Sequence, residues 1–202
     1  LTRGQADKSV EEAGKEPRAR HLPDLIRVAL HTGMRRSELL WLEWERVDLE
    51  NRLIYLEAHH TKAGRRRSVP LNRHAYEAVV GRKQFRDEHA AKSPWVFCRR
   101  SGARIGDVKN SFASACARAE IEDFRLHDLR HTCAAWLAQA GVPLARIRDL
   151  LGHSTIKVTE RYAHLAPENA RGAVERVGTL VTFESRWRKW EGKTPRPSEP
   201  TC

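Results

Sequence analysis

The amino-acid sequence predicts an α+β domain that is mainly helical with one small antiparallel β-sheet. Three observations carry this. Apolar residues recur at helical spacing along most of the chain, the pattern changes to short strands from Arg52 to Leu71, and Gly or Pro punctuates the ends of the helical runs.

Leu22, Leu25, Ile26, Ala29 and Leu30 share one helical face, and the run stops at Thr32-Gly33, where glycine accepts a positive φ. A second helix opens near Arg36 and carries Leu39 and Leu40. Arg35 therefore sits at a tight junction, where a long side chain is held. Leu53-Ile54-Tyr55-Leu56 and Ser68-Val69-Pro70-Leu71 read as strands of a hairpin, and its polar turn, Lys62-Ala63-Gly64-Arg65, offers Lys62 to a groove built by the helices. Helical spacing resumes with Tyr76, Val79 and Val80, Trp95-Val96-Phe97 is a short buried element, and 105–119 is another helix.

The best-defined helix spans 128–140, with Leu129, Cys133, Trp136, Leu137 and Ala140 as its apolar stripe. Gly141 ends it, and Pro143 opens the next through Leu144, Ile147 and Leu150. Ser154 is expected to cap a further helix that carries Tyr162 two turns in. A last helix is expected over 168–177, and residues 191–202, with Pro195, Pro197 and Pro200, read as a disordered tail. A chain of 202 residues can bury one core, or one core with a small appendage, so one compact domain is expected. The division expected is a domain over 1–180 and a partly disordered tail over 181–202. The opening at Leu1-Thr2, without an initiator methionine, reads as the start of a fragment.

Lys and Arg number 37 against 26 Asp and Glu, a net charge of +11, which favours a polyanionic partner such as nucleic acid. No apolar run approaches the roughly 18 residues that span a bilayer, and no stretch reads as a signal peptide. Cys98, Cys116, Cys133 and Cys202 form no C-x-x-C pair, so neither a zinc knuckle nor a disulfide framework is supported and a cytoplasmic location is expected. His127 and His131 have i,i+4 spacing and His59-His60 adds two imidazoles, but no acid or cysteine completes a metal-binding pattern; His131 reads as a residue that caps or packs its helix. No metal or cofactor is expected.

Two imidazoles, guanidinium groups and a phenol are parts suited to phosphodiester chemistry. Arg35 and Arg130 can fork onto phosphate oxygens, because a planar guanidinium matches two of them at once. Tyr162 is a candidate nucleophile that needs proton removal or a positive pocket, since a phenol is protonated at neutral pH. His127 and His153 can move protons or donate hydrogen bonds, and Lys62 can protonate a leaving oxygen. Glu38, one turn after Arg35, reads as a residue that fixes local geometry. Arg65, Arg66 and Arg67, with Arg36, are expected to contact DNA phosphates.

Thr32-Gly33-Met34-Arg35-Arg36-Ser37-Glu38-Leu39-Leu40, Trp44, Val47-Asp48, Thr61-Lys62, Arg67-Ser68-Val69-Pro70-Leu71, His127-x-x-Arg130-His131-Thr132, Leu150-Leu151-Gly152-His153 and Arg161-Tyr162-Ala163-His164-Leu165 occur in this order. Together they resemble the tyrosine recombinases, the phage integrase family, over about residues 20–177. The resemblance implies the catalytic-domain fold of that family, with Arg35, Lys62, His127, Arg130 and His153 as catalytic residues and Tyr162 as the nucleophile. It also implies cleavage and rejoining of double-stranded DNA through a 3′-phosphotyrosyl intermediate, in a bacterial or phage-encoded mobile element. Four protomers are implied on DNA during synapsis, with residues 168–190, including Trp187 and Trp190, available for a contact between protomers, and a monomer as a free fragment. The family's preceding helical DNA-gripping domain is not in this sequence. A type IB topoisomerase-like relaxing enzyme and a non-catalytic DNA-binding module are the alternative readings.

Overall fold

The computed structural model describes residues 1–58, 64 and 66–167. Residues Leu1–Ala166 form one compact unit. Eight α-helices and a three-stranded antiparallel sheet are seen among the described residues, so the mainly helical prediction with its small sheet holds.

Helix α1 (Arg3–Gly14) is not announced by apolar periodicity, because the residues it buries are Ala6, Ser9, Glu12 and Ala13. Its start is written in polar residues instead: the Thr2 side chain accepts from the Gln5 amide and Gln5 reaches back to the Thr2 amide, which satisfies two helix-end donors reciprocally. Helix α2 (Leu22–Thr32) buries Leu22, Leu25, Ile26, Val28, Ala29 and Leu30 and forms the centre of the domain, packing against α1, α4 (Arg73–His89) and α6 (Asp128–Gln139). Gly33 closes it at φ 63°.

Glycine is required at position 33 for a second reason. A Cβ there would lie 2.2 Å from Leu151 Cδ2, so the junction to α3 (Arg36–Leu40) can approach the distant helix α7 (Leu144–Leu151) only without a side chain.

Strands β1 (Val47–Asp48), β2 (Leu53–Leu56) and β3 (Arg67–Pro70) lie in that order, with Ile54 opposite both Val47 and Val69 and Leu56 opposite Arg67. Alternation buries Ile54, Leu56 and Val69 and turns Tyr55 and Ser68 outward. Arg67, two residues before Val69, therefore faces inward.

Helix α5 spans Lys109–Arg118, shorter than the expected 105–119. The Ile105 amide donates instead to the Phe97 carbonyl, and the Asp107 carboxylate accepts from the Val108 and Lys109 amides, marking the true helix start. Helix α6 ends ahead of Gly141, whose φ is 75°. Its fully buried face includes Ala134 and Ala138 rather than Trp136 and Leu137, which are half-buried, or Ala140, which is exposed. Small residues there let α7 come close, and Ala134, Ala138, Ile147, Leu151 and Tyr162 make a second, smaller core.

The helix after α7 corrects the sequence reading most. Helix α8 is a single turn, Lys157–Glu160, its N-cap is Ile156 rather than Ser154, and Tyr162 lies beyond it in the turn leading to the 3-10 segment Ala163–Leu165. The backbone that carries the phenol is thus a helix exit, held by the Tyr162 amide donating to the Thr159 carbonyl. No helix among the described residues is long and apolar enough to cross a membrane. Residues 168–202 lie outside the described residues, and with them the expected helix over 168–177, the protomer contact and the disordered tail.

Candidate active site

The site is organised on the C-terminal end of α7. The last carbonyls of a helix lack intrahelical partners and carry partial negative charge, so they attract cationic donors. Three arginines remote in sequence take one each: Arg67 Nε donates to the Leu150 carbonyl at 3.1 Å, Arg130 Nη2 to Leu151 at 2.6 Å, and Arg35 Nη2 to Gly152 at 2.8 Å. Gly152, at φ 66°, closes the helix, and a Cβ on it would come within 3.0 Å of Arg67 Nη1.

Glu38 ties two of these arginines together. Its fully buried carboxylate accepts from Arg35 Nη1 at 2.8 Å, from Arg67 Nη1 and Nη2 at 3.0 and 2.7 Å, and from the Arg35 amide at 2.7 Å. Burial alone would raise its pKa, but the hydrogen bonds and charges of Arg67 and Arg35 outweigh that and hold the carboxyl below its ordinary range. Glu38 is therefore a fixed anion that sets local geometry, as its position one turn after Arg35 implies.

Arg130 is 4% exposed and donates also to the Gly33 carbonyl at 2.7 Å, so it pins the α2–α3 junction to the end of α7. Burial, with Arg35 beside it, lowers its pKa to about 10, which leaves it charged at neutral pH. With Arg35 partly exposed, the two guanidinium groups form a rigid cationic platform at one helix end.

The imidazoles are kept neutral. Burial, with the charges of Arg130 and Arg35, lowers His153 to about 4, and its Nδ1 is hydrogen-bonded to the buried Thr159 hydroxyl at 2.8 Å. His127 is exposed at the start of α6 and is lowered by burial of its ring and by His131 and Arg130. Tyr162 is 7% exposed, and burial raises its pKa against the opposing charges of Arg161 and Arg130.

The structure gathers Arg35, Arg130, His153 and Tyr162 around the α7 end, with His127 one turn from His131 on α6. Lys62 and Arg65 lie outside the described residues. Arg36 and Arg66 are exposed, paired with Asp107 and Glu57 respectively, and so remain available at the surface. Arg67 is different: its side chain is 8% exposed and engaged by Glu38 and Leu150, in the strut of the site rather than on the open surface. The period-2 pattern that buries Val69 carries the signal for this.

His131 is the residue that sequence reasoning missed. Its Nδ1 is hydrogen-bonded to the Tyr162 hydroxyl, with the ring centroids 6.2 Å apart. Its i,i+4 relation to His127, on the helix face that also carries Arg130, was the available clue. Among the described residues no group of three or more His, Cys, Asp or Glu is placed to hold a metal ion.

The frame, mainly helical with a small antiparallel sheet, is that of tyrosine recombinase catalytic domains. The catalytic domain of bacteriophage HP1 integrase superposes with a TM-score of 0.66 at 28% identity, covering 87% of this chain and 92% of that one. The Tn1549 transposon integrase, solved in complex with circular intermediate DNA, gives 0.70 at 25% identity over 88% of this chain and 66% of that one. A family model described as phage integrase family matches residues 1–169. The integrase of Salmonella phage P22 is 33% identical over 205 residues, covering 93% of this chain and 50% of that protein, and tyrosine recombinase XerD of Rhizobium meliloti is 31% identical over 180 residues, covering 85% and 56%. The chain belongs to the phage integrase family, and it spans about half the length of these relatives.

Proposed function

We propose that this chain is the catalytic domain of a site-specific DNA recombinase that cleaves and rejoins double-stranded DNA through a 3′-phosphotyrosyl intermediate. The observation that carries the reading is the arginine platform: Arg35 and Arg130, fixed on successive carbonyls at one helix end, stand beside a phenol hydrogen-bonded to a neutral imidazole. Immobilised guanidinium groups match the equatorial oxygens of a phosphate under attack and need no reorganisation when charge develops there.

In the proposed reaction the Tyr162 hydroxyl oxygen attacks phosphorus, the bond to the 5′ oxygen breaks, and Lys62 protonates the leaving oxygen. Attack by a partner strand's 5′-hydroxyl reverses these steps. Each step exchanges one phosphate ester for another, so bond energy is conserved and neither ATP nor a divalent metal is required. His153 donates to a phosphoryl oxygen from Nε2, its Nδ1 being hydrogen-bonded to the Thr159 hydroxyl. His127 serves proton transfer at the exposed side of the site. Exposed Arg36 and Arg66, and Arg65, are the proposed backbone contacts, and four protomers are proposed to assemble on DNA during synapsis in the cytoplasm of a bacterium.

The test is a nicked suicide substrate resolved under denaturing conditions. The wild-type chain is expected to form a covalent protein–DNA adduct and Tyr162→Phe to form none while still binding DNA. Relaxation of supercoiled plasmid without exchange between sites would favour a topoisomerase instead, and binding without adduct by the wild-type chain would overturn the catalytic reading. A 5′-bridging phosphorothiolate, whose thiolate leaves without protonation, is expected to rescue Lys62→Ala.

A further inference from the structure

We infer that His131 is the group that holds the Tyr162 phenol and takes its proton as the oxygen attacks phosphorus, with His127 standing behind it toward solvent. The inference rests on the cleavage reading above and assigns a role in it that none of the other site residues is placed to fill.

The geometry leaves little choice of acceptor. Among the described residues the Tyr162 hydroxyl has one hydrogen-bond partner of the site, His131 Nδ1. His153 Nδ1 is occupied by Thr159, and Arg35 and Arg130 are donors that cannot take a proton. His127 meets His131 rather than the phenol, the two rings standing perpendicular with centroids 5.1 Å apart. Tyr162 follows α8 and is buried in the small core with Ala134, Ala138, Ile147 and Leu151, and His131 belongs to α6, the helix that supplies Ala134 and Ala138 to that core.

Proton balance follows. As the phenolic oxygen forms its bond to phosphorus, the O–H bond breaks and the proton passes to Nδ1, giving an imidazolium. When the 5′-hydroxyl reseals the strand, the proton returns to the phenolic oxygen. A base must be neutral beforehand, and burial keeps His131 below the ordinary histidine range. Asp128 on the same helix opposes that lowering, while Arg161 beside Tyr162 and Arg130 support it. His127, His153 and Tyr162 are the other titratable groups around the ring. Once formed, the imidazolium has the Asp128 carboxylate in its field.

The experiment compares single-turnover adduct formation on a nicked substrate for wild type and His131→Asn over about pH 5–9. Asn keeps a hydrogen-bonding atom near the position of Nδ1 but has no titratable base. The expected result is a rate about 10²–10⁴-fold lower, with loss of the acid limb of the profile and unchanged DNA affinity. Imidazole added to His131→Gly should restore part of the rate. Wild-type speed and profile in His131→Asn, beside Tyr162-dependent adducts, would overturn this inference and leave the proposed function standing. No adduct from the wild-type chain would overturn both. Nitrogen NMR of the free wild-type chain adds a test independent of variants: the inference requires an unprotonated Nδ1 and a proton on Nε2 of His131, and the opposite tautomer sinks it.

Discussion

Replacing Glu38 tests whether the arginines of the candidate site also hold the fold together. The carboxylate is fully buried and accepts from Arg35 and Arg67, whose side chains are 18% and 8% exposed. Removing one partner of a buried ion pair costs about 3–5 kcal/mol, because the remaining charge loses its compensation. In a domain of this size each kcal/mol lowers Tm by roughly 2–4 °C, so the expected loss is about 6–20 °C. Gln retains an acceptor oxygen for one guanidinium, which places Glu38→Gln near the lower end and Glu38→Ala near the upper. The assay is thermal unfolding followed by circular dichroism at pH 7 and again in acid. Because the folded carboxyl has a pKa below that of the unfolded chain, its stabilisation is complete above the ordinary carboxylate range and disappears as pH falls through the depressed folded value. The gap between wild type and Glu38→Gln should therefore close in acid. An unchanged Tm for Glu38→Gln at pH 7 would refute the strut role of the carboxylate.

Gly33→Ala combines a left-handed backbone with a Cβ driven 2.2 Å from Leu151 Cδ2, and is expected to lose about 2–4 kcal/mol in urea unfolding. Arg36→Ala and Arg66→Ala should each reduce the slope of log Kd against log salt by about 0.9 if each meets one phosphate, whereas Arg67→Ala should lower Tm more than it changes that slope. His153 and His21, both lowered to about 4 with burial as the leading cause, should make the domain less stable as pH falls from about 6.5 toward 4, since the unfolded chain takes up protons that the folded one refuses. Urea midpoints across that range check this, and His153→Asn should remove its own share of the slope.

Legibility from sequence followed the kind of signal each element carries. Helix α2 and the hairpin strands announce themselves through apolar period, and Gly33, Gly141 and Gly152 mark helix ends because positive φ selects glycine. Helix α1 and the short α8 bury few apolar residues, so periodicity is silent on the first, and the cap expected at Ser154 overextends the second. Arg35, Arg130, His153 and Tyr162 are identifiable by chemistry and spacing, but what they touch is tertiary. That Arg67 shares the inward side of its strand follows from alternation with Val69, but that Glu38 and the Leu150 carbonyl receive it is tertiary. That His131 meets Tyr162 depends on where a one-turn helix lets the chain out, which no local pattern encodes.

The sharing of one helix end by three arginines divides the ways in which this chain can be inactivated. Damage at Arg130 undoes the joint between α7 and the α2–α3 junction, and damage at Glu38 the joint between α3 and β3, and the product enters the fraction of molecules that proteases and chaperones clear. Loss of the Tyr162 hydroxyl removes a single hydrogen bond, to His131, and under the proposed function is expected to leave a folded molecule that forms no adduct. Variants of the second kind, not the first, are the ones suited to trapping assemblies for structural work.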